Sequence, residues 1–299
     1  MKPTGSVLSM SSTSKNVDWS ALSATALGVR RDIIKMLGVA KSGHPGGSLS
    51  AADILVILYK EVLRHKPKEP KWPDRDRVIF SKGHGCPALY AVLADCGYFD
   101  KNSLLDLRKL GSPLQGHPDM RRLPGIEAST GSLGQGLSIA SGCALAARFD
   151  KKDFRSYVIM SDGELNEGQT WEAASFISFR KLSSVVVVLD YNKYQLSGAT
   201  KDILDMEPIA DKWQAFGWET KEIDGHTHKE IYEALQWARS AGTAPRIIIA
   251  HTIKGKGVSF MENNNDFHGV APTKDETRKA LEELGESEAE IKRVTGMIN

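Results

Sequence analysis

The stretch from Ser161 to Asn192, SDGELNEGQTWEAASFISFRKLSSVVVVLDYN, constrains this chain more than any other. It begins directly after the apolar run Tyr157-Val158-Ile159-Met160 and closes directly after Val185-Val186-Val187-Val188-Leu189. Short β-branched runs bounded by Gly, Asp and Asn read as buried strands, and Trp171 to Lys181 between them reads as a helix. A strand–helix–strand unit sets its strands parallel. Asp162 and Asn192 then leave the C-terminal ends of those strands side by side, at the edge where open α/β sheets bind ligands. One carboxylate, one amide oxygen and glycines that permit close backbone approach suit Mg²⁺ or Ca²⁺ carrying a phosphate. An ordinary turn with solvated Asp and Asn is the plainer alternative, and this stretch alone leaves it open.

The flanking chain repeats the strand–helix alternation. Leu22, Val29, Ile33, Met36 and Leu37 recur at helical spacing over Asp18 to Lys41. That helix is expected to stop at Ser42-Gly43-His44-Pro45-Gly46-Gly47, with a second helix from Ser50 to about Leu63. Arg77 to Ser81 reads as a strand that meets Lys82-Gly83-His84-Gly85-Cys86, with helices over Ala88 to Cys96 and Leu104 to Leu110. Gln115-Gly116-His117-Pro118 follows. A lone histidine in a turn is ordinarily a surface polar residue, but three histidines in three Gly/Pro loops point to a site lined by imidazoles. The second of them sits at a strand-to-helix turn, where N–H groups and the helix dipole favour an anion.

Thr130 to Gly136 opens a helix of small residues through Phe149, a face suited to close packing on the sheet or a second subunit. Its glycines, Gly131, Gly134 and Gly136, are spaced GxxGxG rather than GxGxxG, and no strand clearly precedes them, which argues against a nicotinamide site. Trp218 to Ile223 and Pro245 to His251 read as further strands. Thr227 with Glu230, Thr273 with Glu276 and Ser287 with Glu290 are expected to cap the later helices. The pattern implies an α/β fold, a parallel sheet with helices on both faces. Residues 17–299 are expected to form one such domain, and Met1 to Asn16, rich in Ser and without apolar period, a disordered extension.

Composition narrows the function classes. Basic residues number 39 and acidic residues 37, a net charge of +2, so no global field favours nucleic acid or a membrane. Cys86, Cys96 and Cys143 form no CxxC pair, which suits a reducing cytoplasm. No run reaches the length of a membrane span and the N-terminus has no apolar signal core, so a soluble cytoplasmic protein is expected.

Eight segments, SGHPGGSLS, SKGHGCPALY, QGHPD, TGSLGQGL, SDGELNEGQTWEA, LDYNKYQLSG, IDGH and TIKGKGVSFMENNNDFHGVAP, together resemble in order the diphosphate-binding half of transketolase, from about Asp18 to about Thr273. Pro45 and Gly85 favour transketolase over its sister family, 1-deoxyxylulose-5-phosphate synthase. The resemblance implies thiamine diphosphate held through Mg²⁺ or Ca²⁺ by Asp162, the Asn192 side chain and the Tyr194 carbonyl. It assigns His84, Gly163, Glu164, Asn192 and His268 to the cofactor's diphosphate side, and Gly131, Ser132 and Leu133 to its rings. His44, His117 and His268 would handle substrate protons, with His84 beside them, and Glu167 matches a buried carboxylate linking two cofactor sites of a dimer.

Two positions depart from the family pattern: Ser161 stands for the first glycine of GDG and Ser132 for a common proline. The larger departure is length. A full transketolase continues through a pyrimidine-binding domain, so this chain resembles the first subunit of a split enzyme, expected to join a separate C-terminal subunit in an α₂β₂ assembly. The reaction implied is transfer of a two-carbon ketol group between sugar phosphates of the pentose phosphate pathway kind. Rival readings are a related carboligase, a transketolase for an unusual sugar such as a sulfonated one, and a non-catalytic regulatory homologue.

Overall fold

In the computed structural model, which describes residues 17–298, the β-branched runs become the strands of a single parallel sheet. The strands are β1 (Arg77–Phe80), β2 (Ser156–Ser161) and β3 (Val185–Tyr191), a short hairpin of β4 (Tyr194–Gln195) and β5 (Gly198–Ala199), then β6 (Glu219–Asp224) and β7 (Arg246–His251). The sheet order is β1-β2-β3-β7-β6. Every residue of β2 and β3 is buried, as expected of parallel strands covered on both faces.

Eleven α-helices lie among the described residues: α1 (Trp19–Ala40), α2 (Pro45–Ser50), α3 (Ala52–Ile57), α4 (Cys86–Asp95), α5 (Gln135–Phe149), α6 (Gly168–Phe179), α7 (Thr200–Ile203), α8 (Ile209–Ala215), α9 (His228–Arg239), α10 (Lys274–Glu283) and α11 (Glu288–Gly296). Because side chains alternate along a strand, the sheet divides two cores. Tyr157, Ile159, Val186 and Val188 pack with α1, α3, α4 and α9 on one face, while Val158, Met160, Val187 and Leu189 pack with α5, α6 and α8 on the other.

The two cores follow from handedness. The step β2–α6–β3 runs one way across the sheet and β6–α9–β7 runs the opposite way, so right-handed crossovers put α6 and α9 on opposite faces. Between β3 and β7 the direction of winding reverses, and loops leaving those strands diverge. A crevice opens there at the C-terminal edge.

Three local expectations are corrected. The first helix stops before Ser42 as expected, but the next begins at Pro45 rather than Ser50, because a proline in the first helical turn gives up only an N–H that has no partner there. The segment expected as a helix over Leu104 to Leu110 is a short 3₁₀ helix, Lys101–Asp106, followed by turn. Thr227 and Glu230 do not form a capping box: Thr227 Oγ1 donates to Asp224 Oδ2 at 3.0 Å, and Glu230 Oε2 accepts from the Asp224 N–H at 3.0 Å, closing the preceding turn. The expected caps at Thr273–Glu276 and Ser287 are present. The extension assigned to residues 1–16 lies outside the described residues.

Candidate active site

Glycine brings the loops at the C-terminal edge together. After β1 the chain turns through Gly83, where a Cβ would lie 2.8 Å from the Gly131 nitrogen, so these two loops touch backbone to backbone only because no side chain intervenes. Gly131 has φ +150°, and a Cβ there would meet the His117 ring at 2.9 Å. Across this contact three of the expected histidines converge. His44, the residue before α2, lies 5.1 Å from His84 between ring centroids and 5.8 Å from His268. His84 and His268 stack at 5.6 Å.

Together with Lys82, Lys254 and Glu167, these three histidines line a cavity of about 400 Å³. Gly131, Leu133, Gly163, Asn192 and Tyr194 also border it. His117 stands against Gly131 at the margin and is exposed.

The imidazoles are neutral near pH 7. Burial, then the charge of Arg108, brings His44 down to about 4. Burial, then the charge of Lys254, brings His268 down to about 4 as well. His84 is lowered well below its usual value by burial and then Lys82. His117 is lowered by burial and Arg108.

Asp162 lies at the end of β2, buried behind the wall formed by Gly163 and Asn192. Its Oδ1 accepts from the Gly163 N–H at 3.0 Å and its Oδ2 from the Lys193 N–H at 2.6 Å. Burial, then the charge of Asp190, raises its pKa to about 7 in spite of its backbone hydrogen bonds and the charge of Lys82. Asn192 Oδ1 accepts from the Tyr194 N–H at 3.2 Å. Among the described residues no group of three or more His, Cys, Asp or Glu assembles as a metal site. The expected donors, a carboxylate, an amide oxygen and a backbone carbonyl, are hard oxygens suited to Mg²⁺ or Ca²⁺.

Glu164 is turned away from the cavity. It is fully buried and completes a capping box with Ser161, a signal present as S-x-x-E in the sequence. Its carboxylate accepts from the N–H groups of Ser161 and Gly134, both at 2.9 Å, and from the Ser81 hydroxyl, joining the ends of β1 and β2 to the start of α5. Serine in place of the first glycine of GDG is what makes that box. Ser132 is exposed and does not border the cavity. Glu167 is exposed in the single chain, and a second chain has to cover it if it is to be the buried carboxylate of the resemblance.

Two lysines were not singled out from the sequence. Lys82 is wholly buried and pairs with Asp190 on β3, which also accepts from Ser50 Oγ at 2.6 Å and from the Thr252 hydroxyl. Burial works against the Asp190 charge, but Lys82 and these bonds outweigh it and hold the carboxyl below its usual range. Lys254 follows β7, donates to Asn265 Oδ1 at 2.7 Å and to His268 Nδ1 at 2.8 Å, and is lowered by burial to about 8. Both stand in family-like motifs, SKGHG and TIKGKG. What marks them is burial, which sequence does not display.

The cavity's chemistry fits a diphosphate-bearing cofactor and its metal. Two buried ammonium groups border it, a buried carboxylate raised to about 7 lies next to its wall, and two buried polar atoms of its lining residues, His44 Nδ1 and Asn166 Oδ1, have no partner.

A family model described as transketolase, thiamine diphosphate binding domain, matches residues 24–295, and the chain belongs to that family. It is 45% identical over 256 residues to 6-deoxy-6-sulfo-D-fructose transketolase subunit SqwG of Clostridium sp. (strain MSTE9), covering 86% of this chain and 93% of that one. It is 39% identical over 257 residues to an apulose-4-phosphate transketolase subunit of Phocaeicola vulgatus, covering 86% and 91%. The crystal structure of transketolase from Campylobacter jejuni superposes with a TM-score of 0.85 at 33% identity, over 94% of this chain and 46% of that chain. The chain thus spans under half the length of that solved transketolase.

Proposed function

We propose that this chain, as one domain over residues 17–299, is the diphosphate-binding subunit of a split transketolase. It moves a two-carbon ketol group from a ketose phosphate to an aldose phosphate together with a separate pyrimidine-binding, C-terminal subunit in a cytoplasmic α₂β₂ assembly. The observation that carries the reading is the juxtaposition of Asn192, Lys82, Lys254 and three neutral histidines around one cavity, with Asp162 buried next to Gly163 of its wall, in a chain of this family.

In this reading Asp162, the Asn192 side chain and the Tyr194 carbonyl hold Mg²⁺ or Ca²⁺. Lys82, His84, Gly163, Lys254 and His268 surround the diphosphate, and Gly131 and Leu133 lie along the rings, with Ser132 outside the cavity between them. Thiamine diphosphate, when bound, supplies the electron sink for breaking the bond beside the ketose carbonyl. The protein supplies position, charge and protons. A neutral imidazole takes a hydroxyl proton and returns it when the transfer runs backwards, and His44 and His117 are the groups for this work, while His268, whose Nδ1 accepts from Lys254, offers its Nε2–H to a substrate oxygen. Depressed pKa values keep His44 and His117 able to accept at pH 7. Glu167, at the rim, is the group through which a second site is sensed.

Calorimetry of thiamine diphosphate with Mg²⁺, on the chain mixed with its pyrimidine-binding partner, tests the reading. Binding with one cofactor per chain supports it, and no binding even in the mixture favours the non-catalytic homologue. A second reading concerns substrate: the 45% identity to a subunit named for a sulfonated ketose favours an unusual sugar over the common pentose phosphates. Donor and acceptor profiling of the reconstituted pair separates the two.

A further inference from the structure

Behind the cavity lies a buried polar hub that the proposed chemistry does not use. Asp53 of α3 is 4% exposed and its carboxylate collects four side-chain bonds. Oδ1 accepts from Arg30 Nη1 at 3.1 Å and from His228 Nε2 at 2.9 Å, while Oδ2 accepts from Arg30 Nη2 at 2.6 Å and His226 Nδ1 at 2.7 Å. Burial works against this charge, but His226, His228 and Arg30 together hold the carboxyl far below its usual range. A carboxylate so fully bonded orients whatever donates to it.

His226 is oriented in this way. Its Nδ1 carries the proton given to Asp53, so Nε2 is left as a lone pair, and it accepts from the Ile253 N–H at 2.8 Å. On the far side of Lys254, Arg30 Nε donates to the Lys256 carbonyl at 3.0 Å. Gly46 adds a third hold: its carbonyl accepts from the Gly255 N–H at 3.0 Å, and a Cβ there would come within 2.9 Å of the Lys254 stem. His228 bonds the same carboxylate, but its other ring nitrogen faces Ser23 Oγ at 3.2 Å and it makes no bond to this loop.

We infer that His226, aimed by Asp53, is the positioning residue for Lys254, fixing the Thr252–Gly257 loop so that the ammonium faces the cavity. This rests on the proposed role of Lys254 beside an anionic cofactor, but the loop itself is measurable without any cofactor.

Hydrogen exchange read by mass spectrometry on the full chain provides the test. His226→Phe removes the acceptor, and exchange in peptides spanning 252–257 is expected to rise about tenfold while Arg246–His251 is unchanged. His226→Asn, which is too short to reach Ile253, gives the same result should the phenylalanine variant not fold. His226→Gln, whose Oε1 takes over from Nε2, restores protection, and His228→Gln leaves the loop as in wild type. In the reconstituted pair, His226→Phe weakens thiamine diphosphate binding about tenfold with kcat unchanged at saturating cofactor. Equal loop exchange in the His226→Phe and His228→Gln variants, or no change in either, overturns the inference by reducing the hub to general stability. A loosened loop in a chain whose wild type binds no thiamine diphosphate upholds the positioning and refutes the functional reading instead.

Discussion

The ammonium of Lys254 lies 2.8 Å from Nδ1 of His268, which fixes that nitrogen as an acceptor and leaves the imidazole's Nε2 to carry its proton. Both residues follow β7 and both border the cavity. Burial and then the Lys254 charge hold His268 at about 4, so the pair offers two N–H donors to an anion while His268 stays neutral. Lys254→Met is expected to move the His268 pKa up toward an ordinary 6.5, read by NMR of its Cε1 proton. It is also expected to weaken thiamine diphosphate binding by roughly ten- to a hundredfold, the worth of one charge-assisted hydrogen bond.

Asp162 is the single carboxylate assigned to the metal. Asp162→Ala leaves the far-ultraviolet circular dichroism of the chain unchanged, because its partners are backbone N–H groups at a strand end, yet it abolishes Mg²⁺-dependent cofactor binding. Cofactor bound as tightly as by wild type, in titration of the reconstituted complex, means that the site is elsewhere.

The same carboxylate sets a pH dependence. It must lose its proton to ligate a cation, and with its pKa raised to about 7 the Mg²⁺ affinity falls about tenfold for each pH unit below 7 and levels off above it. Calorimetry in buffers of different ionisation enthalpy reads the proton released at pH 6. In the metal-free chain, the raised value contributes stability below pH 3.8 that is lost as pH rises through 7. His44 and His268 act with the opposite sign, because their values are depressed. Their contribution is complete above pH 6.5 and disappears as pH falls through 4.

Lys82 and Asp190 form an ion pair with no exposed surface. Lys82→Met strands the Asp190 charge and costs about 3–5 kcal/mol in denaturant unfolding, whereas the double variant with Asp190→Asn recovers most of that loss. Additive losses contradict the pairing.

Much of the fold was legible because parallel strands buried on both faces must be apolar throughout. The runs at Val185, Tyr157 and Ile247 have that composition, and flanking Asp, Asn and Gly mark their ends. The site was legible where glycine had to accompany chemistry, as at Gly83-His84-Gly85, where loops meet without side chains between them. Lys82 and Lys254 were not, since a lysine's burial is decided by partners far away in sequence: Asp190 in one case, Asn265 and His268 in the other. The Thr227–Glu230 pair misled because T-x-x-E is a capping box only when the threonine is not already bonded, and here Asp224 takes its hydroxyl. The role of Glu164 was hidden for a related reason: its partners Ser81 and Gly134 stand on other segments.

The central claim is that this chain supplies only the diphosphate side of a shared active site. The direct measurement is ketol transfer by the purified chain with thiamine diphosphate and Mg²⁺, first alone and then with a separate pyrimidine-binding transketolase subunit. The account predicts no transfer from the chain alone and transfer on mixing, lost again with Asp162→Ala. Full transfer by the chain alone would contradict it.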